Sequence, residues 1–311
     1  MNNLIFAVII VNFNSYIECE KAIHSITQYT SDSRYKICIY DNASRDSKRI
    51  SNLEKMDSHV ITVRGEHNLG YAKGNNEAIK FILKRYNVDY IFIMNPDVEI
   101  LEQGTLENLI KSIETKNDDT IVGGQPLIWT PLYGTDATIQ TNIRKIDNLF
   151  DLFVLFLSPN RLIFRKTWDK INYIKQRPYK LEIKYLIPSG SFFFIRSDVF
   201  ETVGLFDERT FLYNEELILG EKLKKIKKNL LLMPEYVVKH THSASIGSTK
   251  YNIKWNAYKH EIQSRKILLQ YYTNNKWIVN GMKIISIFDF MLKKIGGVIY
   301  RTFKLMIYQH E

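Results

Sequence analysis

Residues 90–97 read YIFIMNPD: five apolar residues lead directly into Asn-Pro-Asp. An apolar run of this length predicts a strand that is buried on both faces, as in a sheet covered by helices on both sides. The carboxylate of Asp97 would then lie at the mouth of the strand, where open α/β sheets bind their ligands. An acid in that place can bind Mg²⁺ or Mn²⁺ together with water and phosphate oxygens, whereas Asn, Pro and Asp are equally ordinary residues of a turn.

Apolar strand-like runs alternate with helical patterns through the first 125 residues. Strands are predicted at 4–12, 36–41, 59–63, 89–95 and 120–124, and helices at 16–29, 46–55, 72–86 and 103–116. This alternation is typical of repeated βαβ units. The chain is therefore predicted to have an α/β fold, with a single mixed, mostly parallel, Rossmann-like sheet flanked by helices.

The alternation stops after residue 125. Residues 126–186 are interpreted as a variable insertion or flap, with an apolar helix at 146–157 followed by basic residues. Beyond this insertion, helices are predicted at 197–203 and 213–228, and strands at 191–195, 229–233 and 236–239. We expect one main domain over residues 1–246, followed by a basic, amphipathic helical region over residues 247–311.

The chain has 311 residues and a formal net charge of +10, which is concentrated near its end. Residues 249–311 contain 11 Lys or Arg against 3 Asp or Glu. The two cysteines, Cys19 and Cys38, exclude a disulfide framework and fit a reducing cytosol. The apolar start at 4–11 has no basic residue before it, so it predicts a buried strand rather than a signal peptide, and no stretch is long enough to span a bilayer. We expect a cytoplasmic location.

Small polar residues follow the first two predicted strands. Val11, Asn12 and Asn14 come at the end of the first strand, and Asp41 and Asn42 at the end of the second. Such groups at the carboxyl ends of neighbouring strands can hydrogen-bond to a nucleobase and a ribose, although they are also common turn formers.

The segment HNLGYAKGNN (67–76) adds a glycine-containing entry into a helix. Its residues Asn68, Gly70 and Asn75 would suit close approach of a ligand to the backbone. The segment lacks the Gly-x-Gly-x-x-Gly spacing of a dinucleotide site, so it does not predict that class of cofactor.

Taken in order, these motifs resemble the inverting family-two glycosyltransferases with the type A nucleotide-sugar-binding fold, especially their bacterial rhamnosyltransferase-like branch. The resemblance covers residues 4–246. The matching stretches are VNFN (11–14), DNAS (41–44), NLG (68–70), GN (74–75), NPD (95–97), GSFFFIR (190–196), GLFDE (204–208), FLYNEE (211–216), and Pro234, His240 and Ser245.

The resemblance implies a donor site and a metal site. Asp41 would read the base of a uridine or thymidine diphosphate sugar, and Asp97 would be the metal-binding second acid of the family's Asp-x-Asp, whose first acid is Asn95 here. His240 would complete a site for Mn²⁺ or Mg²⁺, unless Lys239 to His242 form only a polar turn. Further donor contacts are implied for Val11, Asn12, Asn14, Asn42, Asn68, Gly70, Asn75 and Gly190.

The resemblance also implies a catalytic base. Glu215 and Glu216 match the family's Glu-Asp pair, whose second acid accepts the proton of the acceptor hydroxyl, so that the sugar is transferred with inversion. The chain departs from the family pattern, because Glu216 replaces an Asp and Ile218 stands where a further Asp is common. Either glutamate could therefore be the base, and two acids in a first helical turn are also favoured by the helix dipole alone.

The implied reaction moves a sugar to a hydroxyl of a glycan or lipid-linked acceptor in bacterial cell-envelope polysaccharide synthesis, such as O-antigen or capsule. The enzyme would be peripheral at the inner face of the plasma membrane. One alternative is a sugar-nucleotide nucleotidyltransferase, but residues 11–16 offer neither the glycine nor the cation of a triphosphate loop.

The other alternative is a non-catalytic surface-binding protein, because of the basic tail. No nucleic-acid motif is present, so nucleic acid is not expected as a partner. An apolar stripe from Ile284 to Ile299, with lysines nearby, predicts either contact with an anionic membrane surface or ordinary packing on the main domain.

Overall fold

The computed structural model of the chain describes residues 2–131, 138–139, 143–157, 159–241 and 255–308. Only the backbone is described for residues 2, 47–48, 138–139 and 296–308. The motif residue Ser245, part of the sequence resemblance, lies outside the described residues.

Within the described residues, ten strands form one mixed sheet. They are β1 (Asn2–Asn12), β2 (Tyr35–Asp41), β3 (Val60–Arg64), β4 (Tyr86–Met94), β5 (Val98–Ile100), β6 (Ile121–Thr130), β7 (Thr138–Ile139), β8 (Ile183–Tyr185), β9 (Phe192–Arg196) and β10 (Asn229–His240). The order across the sheet is β3-β2-β1-β4-β9-β6-β10-β5, with β7 beside β6 and β8 beside β10. The pairs β1–β2, β1–β4, β2–β3 and β6–β10 are parallel, and the others are antiparallel.

Helices cover both faces of this sheet. They are α1 (Tyr16–Tyr29), α2 (Ser47–Glu54), α3 (Gly70–Leu83), α4 (Thr105–Glu114), α5 (Leu149–Phe156), α6 (Asn160–Ile163), α7 (Arg165–Ile171), α8 (Ser197–Thr202), α9 (Glu215–Lys225), α10 (Trp255–Leu269) and α11 (Lys276–Tyr308), with a short 3₁₀ helix at Ile174–Gln176.

The alternation of side chains along the strands produces two separate cores. Phe6, Val8 and Ile10 of β1 pack under α1, α2 and α4, whereas Ala7 and Ile9 face α3, α8, α9 and the insertion. Because both faces of β1 and β4 are covered, these strands are apolar at almost every position. The sequence-based prediction of an α/β sheet flanked by helices is confirmed.

Two local predictions differ from the structure. The strands expected at 229–233 and 236–239 are one strand, β10, whose register with β6 shifts between Met233 and Val237. Pro234 falls within this shift, and a proline cannot donate to a strand ladder, so the chain bulges there and continues. In addition, β6 runs on to Thr130, into the segment interpreted as an insertion.

The helices near the end of the chain pack on the main sheet domain. Leu268, Leu269 and Met282 belong to the core beneath α3 and α9. The hydroxyl of Ser264 donates to the carbonyl oxygen of Leu212 at 3.0 Å. The helices on either side of residue 246 therefore share one core. A domain boundary at that residue stays a prediction.

Candidate functional site

The polar residues singled out by the sequence meet at one edge of the sheet. β1, β2 and β4 are parallel and end at Asn12, Asp41 and Met94. β9 runs antiparallel to β4, so its first residues lie beside Met94. β10 is parallel to β6 and ends at His240. The carboxyl ends of these strands therefore share an edge, which is where open α/β sheets place their ligand sites.

Asn12 and Asp41 form the first group of the site. They are opposite each other in register, both are 0% exposed, and the Asn12 amide donates to Oδ1 of Asp41 at 2.8 Å. The other oxygen of this carboxylate, Oδ2, is buried with no hydrogen-bond partner among the described residues. A buried acceptor without a partner is costly, which fits a site that receives an N–H donor from a ligand such as a nucleobase.

The loops that follow β1 and β2 are held together by side chains. The backbone N–H of Asn14 donates to Ser44 Oγ at 2.8 Å, and the Asn14 side chain accepts from the N–H of Arg45 at 3.0 Å. The Asn12 side-chain oxygen accepts from the N–H of Ser15 at 3.0 Å. These bonds fix the backbone around Asp41 before any ligand is present.

Asn42 connects this group to the start of α3. Its side chain accepts from the N–H of Leu69 at 2.7 Å and donates to the carbonyl oxygen of Gly70 at 3.0 Å. Asn68 caps the same turn by accepting from the N–H of Gly70 at 2.9 Å. A side chain at Gly70 would strike the carbonyl oxygen of Phe211, because its Cβ would lie 2.2 Å away and φ is +80°. Glycine is therefore required at this turn.

Two of the expected donor contacts pack within the protein. Asn75 is buried, and its amide donates to the carbonyl oxygen of Tyr71 one turn earlier in α3, at 2.9 Å. Val11 lies beside α3, where a Cβ on Gly74 would approach its Cγ1 to 3.2 Å. Both residues shape the floor of the site, and their contact with a donor stays a prediction.

Asp97 and His240 form the second group. Both side chains are buried, and His240 Nε2 lies 3.2 Å from Asp97 Oδ1. β5 and β10 bring them together, since His240 pairs with Val98 and the N–H of Thr241 donates to the carbonyl oxygen of Asp97 at 3.0 Å.

Asp97 and His240 suit a divalent cation. A carboxylate oxygen and an imidazole nitrogen are ligands that Mn²⁺ accepts, and Mg²⁺ or Mn²⁺ at nucleotide sites takes the rest of its ligands from phosphate oxygens and water. Among the described residues, no cluster of three or more His, Cys, Asp or Glu is present.

Glu216, at the start of α9, and Gly190, just before β9, form the third group. A Cβ added to Gly190 would lie 1.7 Å from Glu216 Oε1, so the carboxylate occupies the space that any other residue type would fill. The hydroxyl of Tyr71 donates to the carbonyl oxygen of Gly190 at 2.6 Å. Burial, followed by the charges of Glu216 and Glu215, raises the pKa of Tyr71 well above its ordinary value, so the hydroxyl remains a donor.

The two glutamates at the start of α9 have different surroundings. Glu215 is 1% exposed, and its Oε1 has no hydrogen-bond partner among the described residues. Burial raises the pKa of the Glu215 carboxyl well above its usual range, and the adjacent Glu216 adds to this. Burial also raises the pKa of Glu216. Backbone N–H groups lower the pKa of both carboxyls, and the Thr210 hydroxyl lowers that of Glu215, but only Glu216 has a cation, Arg144, acting in this direction. The surroundings therefore favour the proton on Glu215 and the negative charge on Glu216.

Sequence reasoning missed two residues near Glu216. Tyr71 directly follows Gly70, so its place in the helix-entry motif was an available signal. Arg144 lies in the insertion, where it forms a backbone bridge with Ile187 that has N···O distances of 3.1 Å in both directions. No local pattern marks Arg144, because its approach to Glu216 depends on pairing with a residue far along the chain.

Short contacts join the three groups into one site. The N–H of Asn95, next to the turn that carries Asp97, donates to the carbonyl oxygen of Ser191 beside Gly190 at 2.9 Å. The N–H of Tyr71, beside Gly70, donates to the carbonyl oxygen of Phe211 at 2.8 Å, in the loop that leads to α9. The structure thus brings the base-reading, metal-binding and proton-accepting candidates together along a single edge.

Comparison with known proteins adds a family to this geometry. The model of the family described as "Glycosyl transferase family 2" matches residues 7–204. The chain is 22% identical over 306 residues to a low-salt glycan biosynthesis hexosyltransferase, Agl10, of Haloferax volcanii, which covers 94% of this chain and 88% of the relative. It is 24% identical over 253 residues to an N-acetylglucosaminyl-diphospho-decaprenol L-rhamnosyltransferase of Mycobacterium tuberculosis, which covers 78% of each chain.

A solved structure shows the same fold. The crystal structure of GalNAc-T7 with UDP, GalNAc and Mn²⁺ matches with a TM-score of 0.56 at 18% identity. The match covers 80% of this chain and 46% of that chain. At this identity the likeness establishes the architecture, a type A glycosyltransferase sheet, and leaves the ligands to be argued from the residues.

Proposed function

The chain belongs to glycosyl transferase family 2, and from that premise we propose that it transfers a sugar from a nucleotide diphosphate donor to a hydroxyl of a glycan or lipid-linked acceptor, with inversion at the anomeric carbon. Uridine- and thymidine-linked donors are the first candidates, and rhamnose is the first sugar to test because one relative is named a rhamnosyltransferase.

The observation that carries this proposal is the placement of Glu216 against Gly190, at the same sheet edge as Asp41 and the Asp97–His240 pair. A transferase needs a group that reads the donor, a group that holds its diphosphate and a base that faces the acceptor. Asp41 with Asn12 would read the donor, Asp97 with His240 would hold the diphosphate, and Glu216 would be the base. The hydrogen bond from Asn95 to Ser191 links the diphosphate group to the base.

Glu216 would act as the general base. A sugar hydroxyl is a weak nucleophile until its proton is accepted during attack, and a positioned carboxylate contributes about 10²–10⁴ in rate. Glu216 is the better candidate of the pair, because the Arg144 guanidinium partly offsets the rise in its pKa caused by burial, whereas no cation offsets the rise at Glu215. With one base on the acceptor side and no nucleophile needed on the other, direct displacement inverts the configuration.

Asp97 and His240 would hold a divalent cation, Mn²⁺ or Mg²⁺. When bound, such a cation supplies positive charge to the diphosphate as it departs. Asp41 would meanwhile accept an N–H of the donor base through its unpaired Oδ2, and Asn12 holds the carboxylate in that orientation.

We further propose that the acceptor is presented at a membrane, in the synthesis of a cell-envelope polysaccharide. The named relatives support this setting, because one acts in glycan biosynthesis and the other bears the name of a lipid-diphosphate acceptor. Within the described part of the chain, the helices include none that is long and apolar enough to cross a bilayer. In this proposal the chain meets its acceptor at the inner face of the plasma membrane.

A nucleotidyltransferase is the weaker candidate. Such an enzyme binds a triphosphate with a glycine-rich, cationic loop after the first strand. The corresponding residues here, NFNSY (12–16), contain neither, and Asn12 and Ser15 are tied to each other by a hydrogen bond of 3.0 Å.

The test is donor turnover across a panel of uridine and thymidine diphosphate sugars with Mn²⁺, followed by transfer to a lipid-linked acceptor. Asp97→Ala should abolish turnover and weaken Mn²⁺-dependent donor binding measured by calorimetry. Asp89→Ala is the matched control, because Asp89 is exposed near the start of β4, the strand whose far end leads into the turn that carries Asp97. Full activity of the wild-type chain in excess chelator would remove the metal from the proposal, and absence of turnover with every donor would count against the transferase itself.

A further inference from the structure

The long helix α11 presents two chemically different faces. Met282, Ser286 and Asp289 are buried on the side that meets α10. Asp289 accepts from the Tyr258 hydroxyl at 2.8 Å and pairs with Lys293 at 2.8 Å, while Ser286 accepts from Arg265 at 3.1 Å. These contacts anchor α11 to the body of the protein along one side.

The opposite side of α11 is an exposed apolar stripe. Its members are between 55% and 88% exposed, and they recur at helical spacing along one face: Trp277, Ile284, Phe288, Met291 and Ile295. Contiguous exposed apolar surface on this scale marks an interaction site rather than ordinary protein surface.

Basic residues run beside this stripe. Residues 276–308 contain six Lys or Arg and one acid, and that acid is the buried Asp289. Lys276 and Lys283 are exposed, and Lys294 is partly exposed. Their helical positions place them together, adjacent to the apolar stripe. The exposed part of α11 is therefore apolar and cationic.

We propose that α11 is an interfacial membrane helix, which lies flat on an anionic bilayer with its apolar stripe among the acyl chains and its lysines at the headgroups. Amphipathic helices with large apolar side chains on one face and Lys or Arg on the other bind membranes in this way. The proposal concerns where the protein works and stands apart from the transfer reaction itself.

The flanking charge favours lipid over a second copy of the chain. In a symmetric antiparallel contact between two α11 helices, the two basic rows would come together with no exposed acid on either helix to offset them. An anionic headgroup layer supplies the missing negative charge to every lysine at once.

Flotation with vesicles tests the proposal in the full-length protein. Wild-type protein should bind vesicles that contain phosphatidylglycerol and bind vesicles of phosphatidylcholine much more weakly, with an affinity that falls as salt rises. Lys283→Gln should weaken binding about fivefold at low salt. Phe288→Ser combined with Met291→Ser should weaken it more than about tenfold, because two large apolar side chains no longer enter the bilayer.

The controls distinguish membrane binding by α11 from dimerisation and from general effects of surface substitutions. Leu181→Ser, which alters a side chain that is 78% exposed elsewhere on the surface, should bind vesicles like the wild type. All these variants should melt like the wild type and transfer sugar to a soluble acceptor unchanged. Equal binding to neutral vesicles, or dimers that dissociate in the Phe288/Met291 variant without any vesicle binding, would overturn the membrane assignment.

A second observation concerns Arg144. Its backbone is bridged to Ile187, and Ile187 packs so closely on α9 that a Cβ on Gly220 would lie 2.5 Å from its Cγ1. The Nε of Arg144 donates to Asn172 Oδ1 at 3.2 Å. Neither of its terminal nitrogens has a hydrogen-bond partner among the described residues. The insertion thus holds Arg144 beside α9, close enough for its charge to act on Glu216, with the two terminal nitrogens uncommitted.

We infer that Arg144 is a positioning residue for Glu216: its guanidinium, fixed by the bridge to Ile187 and the bond to Asn172, favours the ionised form of that carboxylate. The inference rests on the proposed role of Glu216 as the base. The other charged or titratable groups around this carboxylate are Glu215 on the same helix and Tyr71 on α3. Burial raises the pKa of both groups, which favours their neutral forms, so Arg144 supplies the positive charge that favours the ionised form of Glu216.

The pH profile of kcat tests this inference. Arg144→Gln should move the acidic limb of the profile to higher pH by about one unit or more, because an opposite charge beside a carboxylate typically shifts its pKa by that amount. Arg144→Lys should restore much of the wild-type position. Arg161→Gln, which removes the same charge from an exposed position in the insertion, should leave the limb unchanged.

An NMR titration of carbon-13-labelled glutamate gives a readout that does not depend on turnover. Glu216→Gln identifies the signal, and Arg144→Gln should raise its apparent pKa. An unmoved signal in a folded Arg144→Gln protein would overturn the inference even if Glu216 proves to be the base. Conversely, an active Glu216→Gln enzyme would remove the proposed base without bearing on whether Arg144 shifts the carboxyl.

Discussion

Replacing Glu216 by Gln should stop sugar transfer, whereas the same change at Glu215 should leave most of it. Gln has the shape of Glu and cannot accept the proton. The two residues are adjacent in sequence, but the Glu216 carboxylate lies against Gly190 and only Glu215 is fully buried. The two substitutions therefore form a matched pair, because both replace a glutamate by glutamine in the first turn of α9.

The magnitudes follow from the protonation states. Glu216→Gln removes a general base, so kcat should fall by about 10²–10⁴ while donor affinity stays near the wild-type value. Burial and the adjacent charge raise the pKa of Glu215 and so favour its neutral form, which a neutral amide in its place preserves. We expect kcat of Glu215→Gln to stay within about tenfold of wild type.

Stability provides an independent check on Glu215. A carboxyl whose pKa is raised by folding contributes stability that is fully present below its unfolded pKa and is lost as pH rises through its folded pKa. The melting temperature of Glu215→Gln should therefore rise relative to that of the wild type as pH increases above about 4.3, the ordinary pKa of glutamate. The measurement is thermal melting of both proteins across a series of buffers.

The assay is single-turnover transfer at saturating donor, with the pH varied across the acidic limb. If Glu215→Gln is inactive while Glu216→Gln keeps normal kcat, the two roles are reversed. If both variants stay active, neither glutamate is the base, and the arrangement at Gly190 would need another explanation.

Three further changes test other parts of the site. Asp41→Asn should weaken binding of a uridine or thymidine nucleotide more than tenfold in calorimetry with little change in melting temperature, because its buried Oδ2 would no longer accept from the base; unchanged affinity would mean that the base is read elsewhere. Gly190→Ala should lower kcat at least about tenfold, since the new Cβ would overlap Glu216 Oε1 at 1.7 Å and displace the carboxylate; wild-type turnover would show that the carboxylate moves freely. Tyr71→Phe should lower kcat less than Gly190→Ala, because it removes only the 2.6 Å hydrogen bond that holds the Gly190 carbonyl; a larger loss would point to direct contact between Tyr71 and substrate.

The helices and strands of the parallel half of the sheet could be predicted from the sequence because each is specified by a local pattern. α1 was predicted at 16–29 and is found at Tyr16–Tyr29, and the strands that end at Asn12 and Asp41 also end where expected. Each of these elements has its own hydrophobic period and its own polar stop. Because parallel strands end at a common edge, the grouping of Asn12 with Asp41 could be foreseen from those stops alone.

The rest of the site depends on contacts that no local pattern records. β8 has three residues, and its pairing with β10 was not predicted. Arg144 is held near α9 by its backbone bridge to Ile187, which is distant in sequence. The contrast between Glu215 and Glu216 likewise arises from what surrounds α9, so adjacent and chemically identical residues could be ranked only once their burial was known.

The sequence left two interpretations of the apolar stripe, membrane contact and packing on the domain. In the structure α11 packs on the domain through one face and exposes the apolar stripe on the other. A hydrophobic pattern would assign Ser286 and Asp289 to solvent, but both are 0% exposed. Phe288, which lies between them in the sequence, is 55% exposed. Burying a carboxylate is costly unless it is paired, and here the Tyr258 hydroxyl and Lys293 both bind it. The helix thus packs through a satisfied polar network, which leaves its most apolar side chains free for a partner. Periodicity could identify the stripe, but only the partners of Asp289 show which side of the helix the protein itself uses.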